Sequence, residues 1–275
     1  MRKQLHLPCF LSITMLIITA CGNNTEDNIF HQQSLDIQED TEVGNTIEKD
    51  WEESSFEDQI FKYEALYSEN DYYGAEDAEE PFVFYEGSSD TPVLITAPHS
   101  VYHMREEEPK PAEVYTAALA RLLHHYTGAH VLAASQYTED PSHYDDTAFK
   151  EKLRSLAGDY PIALIIDLHG AGREHDFHVD IGTGEGANID THAVSVLEEY
   201  FSKFDIHRIE TDHTFPAVKP ETIAAFSSRE LHISAMQLEI HRSLRDPRND
   251  PEAFYRLTAA LSEYITALER SRTDS

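Results

Sequence analysis

Two cysteines, Cys9 and Cys21, are all that the 275 residues contain. Cys9 lies inside an apolar leader and Cys21 at its end, so the mature chain is expected to hold neither a disulfide nor a cysteine metal site. Basic residues are scarce as well: 21 Lys and Arg stand against 51 Asp and Glu, for a formal net charge of -30. That balance argues against nucleic acid and anionic membrane surfaces as partners, and for solubility in an exposed compartment. No repeat of solenoid period is present. The stretch GTGEG (182–186) follows a strand-like run but has neither the G-x-G-x-x-G spacing nor the Lys-Ser/Thr of a phosphate loop, so nucleotide binding has no support. The histidines, 16 in number, are dispersed rather than gathered into the tract that a metal store would expose.

What is there begins with an export signal. Residues 1–21 open with Arg2 and Lys3, run apolar to Ile18 and close with Ile18-Thr19-Ala20-Cys21. This reads as a secretory signal rather than a membrane span. Its last four residues resemble a bacterial lipobox, which implies cleavage before Cys21 and a lipid on that sulfur. The expected location is therefore extracytoplasmic and lipid-anchored. Residues 22–80 are rich in Asp, Glu, Asn, Gln and Ser, have only Lys49 and Lys62 as basic residues, and read as an acidic, largely disordered tether. Aromatic residues within it, Phe56 and Tyr67 among them, could dock part of it on the folded domain, which is placed at 81–275.

From Phe82 onward, strand-like and helix-like segments alternate, the pattern of an α/β domain with a central sheet flanked by helices. Strands are expected at 82–85, 92–97, 131–134, 162–166, 177–181, 206–210 and 233–240. Tyr115, Leu119, Leu122 and Tyr126 keep the three-four spacing of a buried helix face that starts after Pro109 and Pro111 and stops at Gly128. A last helix from about Pro251 buries Phe254, Leu257, Leu261, Ile265 and Leu268.

The chemistry concentrates at strand ends. In PIALIIDLHG (161–170) an apolar run ends in Asp167 and His169. VLITAPHS (93–100) ends in His99, and AMQLEIHR (235–242) carries Glu239 and His241. In open α/β sheets ligands bind at the carboxyl ends of strands, so these side chains are expected to face one cleft. A catalytic zinc site needs about three nitrogen or oxygen ligands and a nearby carboxylate base. Glu113, expected in the first turn of the helix, would be held ionised there by the helix dipole. Glu239 lies in apolar surroundings that raise its proton affinity, as suits a base.

In this order, TAPHS, Arg105, KPAEVYT, IIDLHG and QLEIHRSLR, the chain resembles the N-formylglutamate amidohydrolase family, whose fold is related to the zinc carboxypeptidases and aspartoacylase. The resemblance spans roughly residues 92–268. It implies a mixed sheet of the zinc carboxypeptidase-like type, with His99 and His169 as Zn2+ ligands and Glu113 as the third. It implies Glu239 as the catalytic carboxylate. Arg105, Arg242 and Arg245 could hold a substrate carboxylate or polarise the scissile carbonyl. His103, Glu106, Glu107 and Glu108 compete with Glu113 for the third position; His175 and His178 are read as rim residues. Where family members tend to carry an Asn-Arg pair before the central strand, this chain has PSHYDD, so the resemblance bears on the metal more than on the substrate. The function implied is zinc-dependent hydrolysis of an amide in a small molecule or peptide, γ-glutamyl and cell-wall peptides included. The competing expectation is a surface-binding lipoprotein that keeps the fold without turnover.

Overall fold

A computed structural model describes residues 41–76 and 79–273, with side chains described up to residue 270. The export signal, Cys21 and residues 22–40 lie outside the described residues. In chain order the elements are α1 (Glu42–Glu52), α2 (Ser55–Glu64), α3 (Glu69–Tyr72), β1 (Phe82–Tyr85), β2 (Val93–Ala97), β3 (His103–Arg105), β4 (Glu108–Lys110) and α4 (Thr116–Thr127). They continue with β5 (His130–Ala134), β6 (Thr138–Glu139), α5 (Ala148–Asp159), β7 (Leu164–Ala171), β8 (Val179–Gly182) and α6 (Thr191–Lys203). The last are β9 (Ile209–Thr211), α7 (Ile223–Phe226) with a π-turn at Ser227–Leu231, β10 (Ser234–His241), α8 (Arg242–Arg245) and α9 (Pro251–Thr273). Among the described residues, no helix is long and apolar enough to cross a membrane.

Seven strands form a mixed sheet in the order β1-β5-β2-β7-β10-β8-β9. The four central strands β5, β2, β7 and β10 are parallel, while β1 and β8 pair antiparallel with their inner neighbours. Every residue of β2 and β5 is buried, as are Leu164 to His169 of β7. Strands covered on both faces read as largely apolar runs, and these do apart from Thr96, His130, Asp167 and His169. From β2 the chain moves outward through α4 to β5, then returns through α5 to β7 on the other side of β2. Right-handed crossovers in the two directions put α4 and α5 on opposite faces. The strand order thus reverses between β2 and β7, which opens a crevice at their carboxyl ends.

The tether expectation fails for residues 41–76, which are built into the domain. Thr41 caps α1 by accepting from the Gly44 N–H, and Ile47, Phe56, Ile60 and Tyr67 are fully buried. Trp51 stacks on Tyr255 of α9 at 4.9 Å, and Phe56 lies edge-on to Phe254 and Tyr255. The acidic average hides two short helical stripes, Val43-Ile47-Trp51 and Phe56-Ile60, each spaced by four. Such stripes are too short to stand alone, and only the α4–α9 surface beneath them makes them helices.

Two further boundaries differ from expectation. The helix read from Pro109 onward begins only at Thr116, since β3 and β4 form a hairpin and Tyr115 sits at φ 68°, a left-handed conformation that interrupts the helix. Strand β7 runs on through Ala171, so His169 is a strand residue rather than one beyond the strand end.

Candidate metal centre

The crevice between β2 and β7 gathers the side chains. His99 follows β2 by two residues, and His169 is the sixth residue of β7. Glu113 lies in the loop between β4 and α4, and its backbone N–H donates to the His99 carbonyl at 2.8 Å. One donor atom each from His99, Glu113 and His169 lie within 4.8 Å of one another. His99 Nδ1 is 2.9 Å from Glu113 Oε1, and His169 Nδ1 is 3.3 Å from Glu113 Oε2. The Gly170 N–H donates to the same Oε2 at 2.9 Å.

The far nitrogens of both imidazoles are occupied by buried aspartates. His99 Nε2 meets Asp140 Oδ1 at 2.8 Å, and His169 Nε2 meets Asp167 Oδ2 at 2.9 Å. Each Nε2 is thus engaged by an aspartate, and each Nδ1 faces Glu113, where a cation in place of a proton would meet all three side chains. Asp167 is held in turn by the Thr96 hydroxyl of the neighbouring strand at 2.6 Å. Asp140 is held by the Ser142 N–H at 2.8 Å and by Arg105, whose Nε and Nη2 donate to Oδ2 at 2.7 and 2.5 Å. Donors on a tetrahedral zinc at about 2.0–2.1 Å lie about 3.3 Å apart, close to the separations found here. The residues present therefore fit a divalent cation of the zinc type, with two nitrogens and a carboxylate.

A second grouping, His99, His103 and Asp140, also comes together. It fits a cation poorly. The His99 and His103 rings stack in parallel at 3.9 Å, and the Asp140 carboxylate is already neutralised by the Arg105 guanidinium. Burial pushes the His103 imidazole down to about 4, His99 adding to the effect.

The electrostatics follow from this crowding. Burial pushes the His99 imidazole down, but the Glu113 and Asp140 carboxylates outweigh it and raise its pKa to about 9. His169 is likewise raised, against burial, by Asp167 and Glu113. Glu113 is held well below the usual carboxylate range, burial notwithstanding, by the two imidazoles. The helix dipole expected to ionise Glu113 is not its cause, because Glu113 precedes the helix by three residues.

Glu239 sits on β10 directly beside His169 in the parallel register. It lines the cleft and accepts from Gln237 Nε2 at 3.1 Å. Burial raises its pKa to about 7 against the pull of His169. The cleft has a volume of about 550 Å³, and Arg105, His143, His175, Phe215 and Lys219 are among its walls. The segment 212–222 forms one wall, pinned by three backbone N–H groups (His213, Thr214 and Phe215) that donate to the buried Asp180 carboxylate.

The three arginines separate. Arg105 lines the cleft. Arg242 instead pairs with Asp246 at 3.4 Å and lies outside the cleft lining. Arg245 is buried behind Gly170, where it donates to the Val114 and Ile240 carbonyls, so it reaches no substrate. Both had been expected at the substrate, but the turn of α8 after β10 carries them away. Of the competitors for the third ligand, Glu106, Glu107 and Glu108 are exposed at the hairpin tip. His175 is at the cleft rim as expected, and His178 is not among its lining residues. His241 is buried and turned to Ser243. The residue that the sequence reading missed is Asp140. Its only signal is the acidic loop after β5, where nothing marks one aspartate above the others.

No protein-family model matches the chain, and no curated protein matches it in sequence. Among solved structures it is similar to an N-formylglutamate amidohydrolase from Ralstonia eutropha, at 13% identity and a TM-score of 0.48, over 71% of this chain and 99% of that one. It is similar to a bacteriophage poly-gamma-glutamate hydrolase at 15% identity and a TM-score of 0.46, over 72% and 91%. It is also similar to a succinylglutamate desuccinylase from Chromobacterium violaceum at 16% identity and a TM-score of 0.44, over 68% and 67%. At these values the weight of any functional reading rests on the side chains.

Proposed function

We propose that the chain is a zinc-dependent amidohydrolase in which Glu239 is the general base. The observation that carries this is the pair of imidazoles, each locked by a buried aspartate so that its Nδ1 faces Glu113, with the Glu239 carboxylate beside them on the next strand. His99, Glu113 and His169 would hold the ion, which supplies Lewis acidity towards a carbonyl and a water. Glu239, with a pKa of about 7, is poised to take a proton from water near neutral pH and to return it to a leaving amine. Arg105 has guanidinium donors to spare beyond its pair with Asp140, and serves to orient a carbonyl or carboxylate of the substrate. A cleft of about 550 Å³ is roomy for a single acylated amino acid, which favours a short peptide substrate, γ-glutamyl or cell-wall peptides among them.

The test is metal analysis of the purified protein together with turnover of acyl-amino-acid and γ-glutamyl peptide amides. Glu239→Gln is expected to retain one equivalent of zinc and to lose roughly 10²–10⁴ in kcat. Wild-type turnover is expected to rise with pH as Glu239 loses its proton. Stoichiometric zinc with no hydrolysis of any amide would leave the chain a surface-binding protein instead. The export reading is separate: a lipid on Cys21 would hold the domain at the outer face of a bacterial membrane, and Cys21→Ser should release it to the soluble fraction.

A further inference from the structure

We propose that Glu64, on α2 of the N-terminal segment, is a positioning residue for Glu113, so that the first helices of the domain form part of the metal centre. This rests on the reading of His99, Glu113 and His169 as the ligands of a divalent cation.

Glu113, Val114 and Tyr115 form a three-residue span ahead of α4, and each is tied at a different place. Glu113 donates its N–H to the His99 carbonyl and accepts at its own carbonyl from the Thr116 hydroxyl, both at 2.8 Å. The Val114 carbonyl accepts from Arg245 Nη1. Tyr115 stands at φ 68°, a backbone conformation that a bulky residue avoids unless its surroundings hold it there. Its N–H, at the helix N-cap, has no acceptor within the helix. Glu64 supplies that acceptor, with Oε1 at 2.8 Å.

Arg245 closes the frame on the other side. Its guanidinium covers Gly170 so closely that a Cβ there would sit 2.4 Å from Cζ, and the Gly170 N–H is a donor to Glu113 Oε2. Glu113 is thus gripped at its carboxylate by β7, while the Val114–Tyr115 peptide bond that follows it is held at its carbonyl by Arg245 and at its N–H by Glu64. Removing Glu64 leaves the left-handed Tyr115 without its holder, and the carboxylate two residues earlier loses its fixed approach to the imidazoles.

Glu64 is a costly choice if it serves only to cap a helix. It is 4% exposed, and burial lifts its pKa to about 7 against the Tyr115 N–H, Tyr72, Arg245 and Arg248. Caps on exposed helix ends are ordinarily the short side chains Ser, Thr, Asp and Asn of the helix itself. Here a long side chain reaches in from 51 residues away in sequence.

The test uses the full chain, stripped of metal, and measures zinc affinity by competition with a chromophoric chelator alongside the melting temperature of the metal-free protein. Glu64→Ala is expected to weaken zinc binding by roughly 10- to 100-fold, the usual effect of removing a residue that orients a ligand. Glu64→Gln, which keeps Oε1 as an acceptor, should stay within about threefold of wild type. Should Glu64→Ala fail to fold, Glu64→Leu fills the space without the acceptor and is expected to show the same loss. If Glu64→Ala or Glu64→Leu binds zinc as wild type does while melting lower, Glu64 is merely a cap and the proposal is overturned. It is overturned equally if Glu64→Gln loses as much affinity as Glu64→Ala. His169→Ala reports on the underlying reading, because undiminished zinc binding in that variant would remove the metal centre itself, and Glu64's role with it.

Discussion

The two halves of the proposed metal centre are supported in opposite ways. His169 brings its support with it: Asp167 is two residues away on the same strand, and Thr96, which holds Asp167, is on the adjacent strand in a register set by backbone hydrogen bonds. His99 and Glu113 stand on loops, and their supports come from afar. Asp140 is 41 residues from His99, and Glu64 and Arg245 reach Tyr115 and Val114 across 51 and 131 residues. A ligand on a strand inherits precision from the ladder, whereas a ligand on a loop must borrow it from buried side chains elsewhere.

That contrast can be broken most directly by deleting the two aspartates. Asp167→Ala and Asp140→Ala are each expected to weaken zinc binding by roughly 10- to 100-fold. They should differ in stability. Both aspartates are fully buried beside an imidazole, but Asp140 also organises the Ser142 N–H and the partly exposed Arg105. Asp140→Ala should therefore cost about 3–5 kcal/mol, as removal of one partner of a buried ion pair such as His99–Asp140 does. Asp167→Ala should cost less, since the strand around it is held by its ladder. Equal losses in chemical unfolding would erase the distinction between carried and borrowed support.

A pH series on the metal-free protein sharpens what the halves share, since each imidazole sits between two carboxylates. His99, raised from 6.5 to about 9, and His169, raised as well, contribute stability that is present below 6.5 and lost as pH climbs through the folded values. Glu64 and Glu239, raised from 4.5 to about 7, act in the same direction lower down, their contribution being lost between those values as pH rises. Below 6.5 the buried His103, lowered to about 4, acts in the opposite direction, as do His124, His130, His178 and His241. The fall in melting temperature of the metal-free chain is therefore expected from pH 6.5 to pH 9. With zinc in place of a proton at each Nδ1, the decline above pH 6.5 should largely vanish. A metal-free protein that grows more stable across that range would contradict the carboxylate grip on both imidazoles.

The borrowed side extends to the cleft wall. Lys150 is fully buried and donates to the carbonyls of Tyr144 and Glu221 at 2.9 and 2.7 Å, joining the loop after Asp140 to the segment 212–222 opposite. Lys150→Met should loosen the cleft, with KM rising roughly 3- to 10-fold and kcat nearly unchanged. A fall in kcat with KM constant would place Lys150's influence at the reacting groups instead. The smallest effect is expected from Arg242→Ala, since Arg242 belongs to neither half: KM should stay within about twofold of wild type.

How far the fold could be read from the chain follows from the same contrast. The runs VLITA, VLAA and PIALII are almost wholly apolar, Thr96 excepted, and that pattern has few solutions other than strands covered on both sides. The histidines that end or interrupt such runs mark the crevice for the same reason, since a polar ring has little other use at the edge of a buried sheet. Glu239 was legible through its apolar neighbours. Arg245 was misread because a guanidinium near a motif looks the same whether it faces a substrate or a backbone carbonyl. The segment 41–76 was misread because its apolar residues are few, and their partners on α4 and α9 lie far along the chain.

Periodicity and composition alone thus determined the strands, the sheet class and the residue types at the crevice, because each of those depends on neighbours within a turn or a pleat. Which nitrogen of each imidazole faces Glu113, which aspartate and which glutamate hold those side chains in place, and which arginine meets the cleft were decided only when the chain closed on itself. Those facts depend on distances between residues that the sequence leaves 41, 51 or 131 positions apart, and no local pattern encodes a distance of that kind.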